Sequence, residues 1–299
     1  MIHKNLPFSE YLKLPGLNAS KLKPYSISPR FGYYKEHKEF ERSEAMTTGT
    51  LVHSFVLEGV EATEEMIKEN YITSGFPINP RTDKPYGQGT DKFKAWLAEQ
   101  GNKEIVTEIQ LAQAKKITRA VESHTKSKGL LHQAPYREMA ITWTCSYTGM
   151  PCKAMVDFSS NVLAGDLKTF GKQLTKKSIE REILDRQYHL QFSFYRDGLI
   201  ANGFDIQEFY AIFVQSKDDY DVGCFRINDA TMDKGRNDYI KAVYNYQKAT
   251  DDKSEFKDGL FPDVESIGVP DYILNTDTEI DYEEKLIIEQ MLGDICVKS

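Results

Sequence analysis

The sequence predicts a mixed α/β protein, a central mixed sheet flanked by helices. Three observations carry that prediction. Residues 138–147, 150–158 and 162–169 read as short strands separated by the turns Thr148-Gly149 and Ser159-Ser160-Asn161. A long helical stretch over about 175–201 then leads to two further strands at about 207–215 and 221–227. Helical patterns before and after, at 103–127 (Ile105, Leu111, Ala114 and Ile117 on one stripe) and 228–248, supply layers to cover the sheet.

The remaining elements follow in order. Residues 1–44 are basic and aromatic, and Pro15, Pro24 and Pro29 divide them into short pieces. This stretch is expected as an N-terminal arm. Residues 45–58, largely apolar and opened near Thr47 and Thr48, predict a buried helix. Residues 70–90, with Pro77, Pro80, Pro85, Gly87 and Gly89, predict a loop, and 91–100 a short helix. The organisation expected is an arm (1–44), a catalytic core (45–250) and an acidic extension (251–299) carrying a helix at 281–293, with a single domain left open.

Composition narrows the function classes. At 299 residues, 40% hydrophobic and 12% aromatic, the chain has the make-up of a globular protein, and no apolar run is long enough to span a membrane. The N-terminal stretch lacks the apolar core of a signal peptide. Cys145, Cys152, Cys224 and Cys296 are scattered, which argues against a zinc site or an iron–sulfur cluster and suits reduced thiols. A cytoplasmic location is therefore expected. The net charge of −7 is uneven. Residues 251–294 hold fourteen acidic residues and three lysines, whereas residues 1–250 hold 31 acidic and 34 basic residues, a net of +3. The body is compatible with a nucleic-acid partner. Lys21 and Lys23, and Lys172, Lys176 and Lys177, form basic groups that could face phosphate.

The chemistry concentrates in residues 150–168. Asp157 ends one apolar strand, and Asp166 and Lys168 sit two apart in the next, on one face. With the turn centred on Asn161 and Val162, Asp157 falls opposite Asp166, at a cross-strand distance of about 5 Å. Carboxylates that close repel, and a divalent cation relieves the repulsion. Acid-x-Lys triplets also occur at Glu36/Lys38, Asp251/Lys253, Glu255/Lys257 and Glu283/Lys285, where polar surroundings suggest solvated pairs. Only Asp166/Lys168 lies in an apolar strand with a second acid in register.

Other residues have two readings. His53, beside Leu51, Val52 and Phe55, is either a hydrogen-bonded core histidine or a metal ligand. Glu138 is either a surface residue, the favoured reading, or an outer member of the acidic cluster. Tyr188, Gln191 and Tyr195 share a helix face at i, i+3 and i+7. That face is either the polar edge of a packed helix or a strip that grips phosphate and fixes the carboxylates.

In order, Gly49-Thr50-Leu51-Val52-His53, Asp157, Asp166-Leu167-Lys168-Thr169 and Gln191 to Tyr195 resemble the RecB-type branch of the PD-(D/E)xK nucleases. The stretches ITWTCSYTGMPCKAMVDF, YHLQFSFYRDGL and NASKLKPYSISP are most similar to the C-terminal nuclease domain of RecE, exodeoxyribonuclease VIII, and related phage recombination exonucleases. Val156 departs from the Pro or Arg that the pattern usually carries before the first Asp. The resemblance spans about 15–250 and implies a restriction-endonuclease-like core. It also implies an exonuclease, in the cytoplasm of a bacterial host cell, that degrades double-stranded DNA ends 5′→3′, leaves 3′ single-stranded tails for a single-strand annealing protein, and assembles as a homo-oligomeric ring, trimer or tetramer.

In that setting Asp157 and Asp166 would hold one or two Mg²⁺ or Mn²⁺ ions, with His53 and the Leu167 carbonyl completing the shell. Lys168 would orient water or clamp developing charge. Gln191 and Tyr195, with Tyr188, would position the DNA end. An endonuclease or single-strand-specific nuclease, a DNA-binding relative without activity, and a structural protein remain as alternatives.

Overall fold

A six-stranded sheet organises the computed structural model, which describes residues 1–4, 6–38, 43–101, 103–251 and 267–268. The chain opens with β1 (Ile2–His3), α1 (Phe8–Lys13), α2 (Ala19–Ile27), α3 (Pro29–His37), α4 (Glu44–Leu57) and α5 (Val60–Asn70). Short elements follow: β2 (Tyr71–Ile72), β3 (Ile78–Asn79), β4 (Lys84–Pro85), α6 (Asp91–Glu99) and β5 (Glu104–Ile105). Then come α7 (Glu108–Ser123), α8 (Thr125–Gln133), β6 (Tyr136–Thr144), β7 (Pro151–Ser159) and β8 (Leu163–Phe170). The last are α9 (Lys176–Asp185), α10 (Tyr188–Ala201), β9 (Glu208–Gln215), β10 (Val222–Arg226) and α11 (Asp229–Asp251). The sheet order is β1-β6-β7-β8-β9-β10, antiparallel except for the parallel pair β8/β9, whose connection runs through α9 and α10.

Ile212 and Phe213, adjacent in β9, enter different cores, as strand alternation demands. On one side α2, α10 and α11 pack through Leu22, Tyr25, Phe192, Phe194 and Val243. On the other, α4 and α7 pack Leu51, Val52, Phe55, Ile117 and Val121 against Leu167 and Val214. The mixed α/β expectation therefore holds.

Three expectations are corrected. Residues 1–37 are not a detached arm: Leu22 and Tyr25 are fully buried, each worth about 1.5–3 kcal/mol, and α2 packs on α10 and α11. The stretch 175–201 is two helices, because Gln187 takes a left-handed conformation (φ 53°) and starts a new axis at Tyr188. The stretch 103–127 divides at its caps. Thr107 and Gln110 form a capping box that starts α7, and His124 accepts from the Ser127 N–H to start α8. Within the expected loop 70–90, β2 pairs with β5 and β3 with β4. Beyond Asp251, and apart from residues 267–268, the acidic extension with its helix at 281–293 lies outside the described residues.

Candidate active site

The site grows from an interruption in the sheet. The β7/β8 ladder pairs Phe158 with Gly165 and Ser159 with Ala164, and the same register carried one step further sets Asp157 opposite Asp166. There the ladder stops. The Asp157 carboxylate takes the Leu167 N–H through Oδ2 at 2.7 Å, in place of a strand-to-strand backbone bond. A residue's N–H and C=O face the same edge of a strand, so the Leu167 carbonyl also opens toward β7. Gly165 permits the close packing beside this gap, because a Cβ there would meet the Phe158 ring at 2.2 Å and the Tyr210 carbonyl oxygen at 2.6 Å.

The neighbouring strand is disturbed at the same level. Its ladder pairs Arg137 with Phe158 and Met139 with Val156, which sets Glu138 opposite Asp157. Glu138 has φ +41°, a costly conformation for a residue with a Cβ. Val156 joins one core and Phe158 the other, although alternation would place them on one face. Glu138, Asp157 and Asp166 thus form one acidic row across three adjacent strands. The favoured surface reading of Glu138 is corrected: its side chain is mostly buried and lies inside the cluster.

Helix α4 closes the row from one side. Gly49 and His53 are one turn apart, and a Cβ on Gly49 would come within 3.3 Å of Thr169 Oγ1, so the glycine lets the helix lie close on β8. His53 Nδ1 then stands 3.5 Å from Asp157 Oδ2 and 4.0 Å from Glu138 Oε1. Ligand atoms of His53, Glu138 and Asp157 all lie within 4.8 Å of one another. This set of one imidazole and two carboxylates fits a hard divalent ion such as Mg²⁺ or Mn²⁺. Asp166 lies next in the acidic row, with its buried Oδ2 in an ion pair with Lys168 Nζ.

Helix α10 closes the other side. Gln191 Nε2 donates to Asp166 Oδ1 at 2.7 Å and to the Tyr195 hydroxyl at 3.3 Å. The Tyr188 ring lies under Lys168, whose Nζ is 5.0 Å from the ring centroid. The sequence offers Lys23, with Lys21, only as a basic group that could face phosphate, yet its Nζ donates to Gln191 Oε1 at 2.7 Å and sits 4.8 Å from the Tyr188 centroid. No local spacing announces this, because Lys23 stands one residue after Leu22 and two before Tyr25, spacings that do not share a helix face. Lys172, in the loop after β8, and Lys176 and Lys177, at the start of α9, are exposed. Lys172 pairs with Glu182 at 3.0 Å, and Lys176 lies 3.9 Å from Glu180.

The electrostatics record crowded acids. Burial first, then Asp157, Glu58 and Asp166, hold the Glu138 carboxyl well above the usual carboxylate range. Burial and Asp166 raise Asp157 to about 6, against His53, Lys168 and the Leu167 N–H. Burial alone would depress Lys168, but Asp166 and Asp157 outweigh it and hold its ammonium above the ordinary lysine value. Lys23 is pushed down to about 7 by burial and by Lys168.

A mixed sheet whose adjacent strands bring two aspartates and a lysine together, flanked by helices, is the core of the PD-(D/E)xK nucleases. A family described as "PDDEXK-like domain of unknown function (DUF3799)" matches residues 19–258, and this chain belongs to that family. No curated protein matches the sequence. Among solved structures, the crystal structure of a "Putative exonuclease" from Eubacterium rectale is similar with a TM-score of 0.57 at 12% identity, covering 92% of this chain and 100% of that one. At that identity the likeness is one of fold. Among the described residues no helix is long and apolar enough to cross a membrane.

Proposed function

We propose that this protein is a metal-dependent double-stranded DNA exonuclease that works from duplex ends 5′→3′ and leaves 3′ single-stranded tails for phage-type recombination by strand annealing. The observation that carries the nuclease reading is the convergence of Glu138, Asp157, Asp166, Lys168 and His53 at one break in the sheet. The exonuclease reading is supported by the fold shared with the Eubacterium rectale protein, and the polarity by the resemblance to RecE. That resemblance also supports a ring-shaped homo-oligomer and a single-strand annealing partner.

His53, Glu138, Asp157 and Asp166, with the Leu167 carbonyl, would hold one or two Mg²⁺ or Mn²⁺ ions. Bound there, the ions would supply Lewis-acid polarisation of the scissile phosphate and an activated water. The protein's own groups do the rest. The Leu167 N–H fixes the Asp157 carboxylate, and Gln191 fixes that of Asp166, so both acids are preset. Lys168, held as a cation on the Tyr188 ring, stabilises charge that develops on the phosphate and orients the attacking water. The neutral donors Gln191 and Tyr195, together with Tyr188, position the DNA end. Lys172, Lys176 and Lys177 offer charge along the duplex approach.

The test is Mg²⁺-dependent release of label from linear duplex DNA marked at its 5′ or 3′ end, wild type beside Lys168→Ala. Early loss of the 5′ label, abolished by EDTA and by the substitution, is expected. Intact linear DNA in both Mg²⁺ and Mn²⁺ defeats the exonuclease reading. Equal cleavage of circular DNA replaces it with an endonuclease.

A further inference from the structure

We infer that Lys23 is a positioning residue: its amino group donates to the Gln191 amide oxygen and so holds in place the side chain that presets Asp166. The argument begins with hydrogen-bond inventory. A carboxylate only accepts, an ammonium only donates, and a primary amide has one accepting end and one donating end. Gln191 lies between the two kinds of group, with Lys23 Nζ at 2.7 Å from Oε1 and Asp166 Oδ1 at 2.7 Å from Nε2. Only one of the two amide orientations satisfies both contacts. Turned over, the amide would set its oxygen against the carboxylate and its NH₂ against the ammonium, with two hydrogen bonds lost in a buried place.

Asp166 and Tyr195 both engage the Nε2 end of the amide, so without Lys23 the Oε1 end loses the donor that fixes it. Lys23 therefore holds the end of the amide that Asp166 and Tyr195 do not. The amine is itself held. It rests 4.8 Å from the Tyr188 centroid, and Lys168 lies 5.0 Å from the same ring. Ser26 anchors the α2 turn by donating to the Lys23 carbonyl at 2.8 Å. The chain Lys23–Gln191–Asp166 links α2, α10 and β8, three elements separated widely in sequence. Lys23 thus turns inward to the acidic row, in contrast to the phosphate-facing role its basic neighbourhood suggests.

The kinetic part of the test rests on the nuclease reading; the spectroscopic part does not. In the full chain without metal, the Gln191 side-chain NH₂ resonances, identified by their loss in Gln191→Ala, are expected as a sharp resolved pair in wild type and in Lys23→Arg. In Lys23→Met they are expected broadened or shifted toward free amide values. Kinetically, Lys23→Met is expected to lower kcat by about 10–100-fold with KM for duplex DNA within about 3-fold, and Lys23→Arg to recover most of the loss. In a Gln191→Ala background, Lys23→Met is expected to cost less than about 3-fold more, since the two residues act in series. Unchanged Gln191 resonances in Lys23→Met, or additive losses in the double variant, overturn the inference. So does a rise in KM at constant kcat, which would make Lys23 a phosphate ligand. Altered resonances in a protein that cleaves no DNA would uphold the inference and defeat the nuclease reading alone.

Discussion

Replacing Asp157 with Asn should stabilise the metal-free protein while removing its activity. Burial and the neighbouring Asp166 raise the Asp157 carboxyl from its ordinary 3.8 to about 6. At 1.36 kcal/mol per tenfold, ionising it in the folded protein costs about 3 kcal/mol more than in the unfolded chain. Asn keeps the shape and the oxygen that accepts the Leu167 N–H at 2.7 Å, but carries no charge. Because the folded value is raised, wild type binds this proton more tightly when folded. Its stability is therefore greatest below 3.8 and is lost as pH rises through 6. The variant lacks that loss. In EDTA at pH 8, Asp157→Asn should be more stable by up to about 3 kcal/mol, or about 5–10 °C in Tm for a unit of this size. The advantage should shrink between pH 6 and 4 and vanish below. Urea denaturation at pH 8, 6 and 4 measures it. A variant less stable at pH 8, or a difference constant across this range, would refute the electrostatic account of the acidic row.

The same row makes Mn²⁺ a stabiliser: addition at about 100 times its dissociation constant should raise wild-type stability by about 2.7 kcal/mol, and Asp157→Asn and Asp166→Asn should lose most of that gain in a thermal-shift titration. Gly165→Ala drives a Cβ into the Phe158 ring and the Tyr210 carbonyl, so a loss of about 3 kcal/mol or more is expected, and a loss below about 1 kcal/mol by denaturant titration would contradict the close approach. Lys153 donates to the Tyr11, Leu12 and Leu14 carbonyls at 3.2, 2.9 and 2.6 Å, so Lys153→Met should raise amide exchange in residues 8–14 without touching α10. Lys168→Met leaves the buried Asp166 carboxylate without its cation, so it should cost about 3 kcal/mol or more of metal-free stability and lower DNA cleavage by at least about 100-fold in an end-label assay.

The outcomes for individual residues show where sequence reasoning reaches. Asp157, Asp166 and Lys168 were legible because strand alternation and a short hairpin turn are local rules, and together they set the register that the sheet adopts. Gln191 and Tyr195 were legible as a helix face, since i, i+4 spacing survives even though the helix begins at Tyr188 and not near 175. The break itself was hidden: Gln187 adopts a left-handed conformation without the glycine that usually announces one. His53 was legible as a candidate only, because a histidine on an apolar helix face carries no record of the strand beneath it.

Glu138 and Lys23 mark the boundary most clearly. Each is an ordinary charged residue in its own stretch of sequence. Residue types and their spacing by themselves determined the α/β class, the hairpin and the pairing of two aspartates with a lysine, all of which follow from backbone periodicity. Only the tertiary structure decided that Glu138 completes the acidic row and that Lys23 reaches Gln191 from a helix 168 positions away. The physical reason is burial: a charge is forced to find a partner when packing removes its water, and which elements pack together is a property of the whole chain.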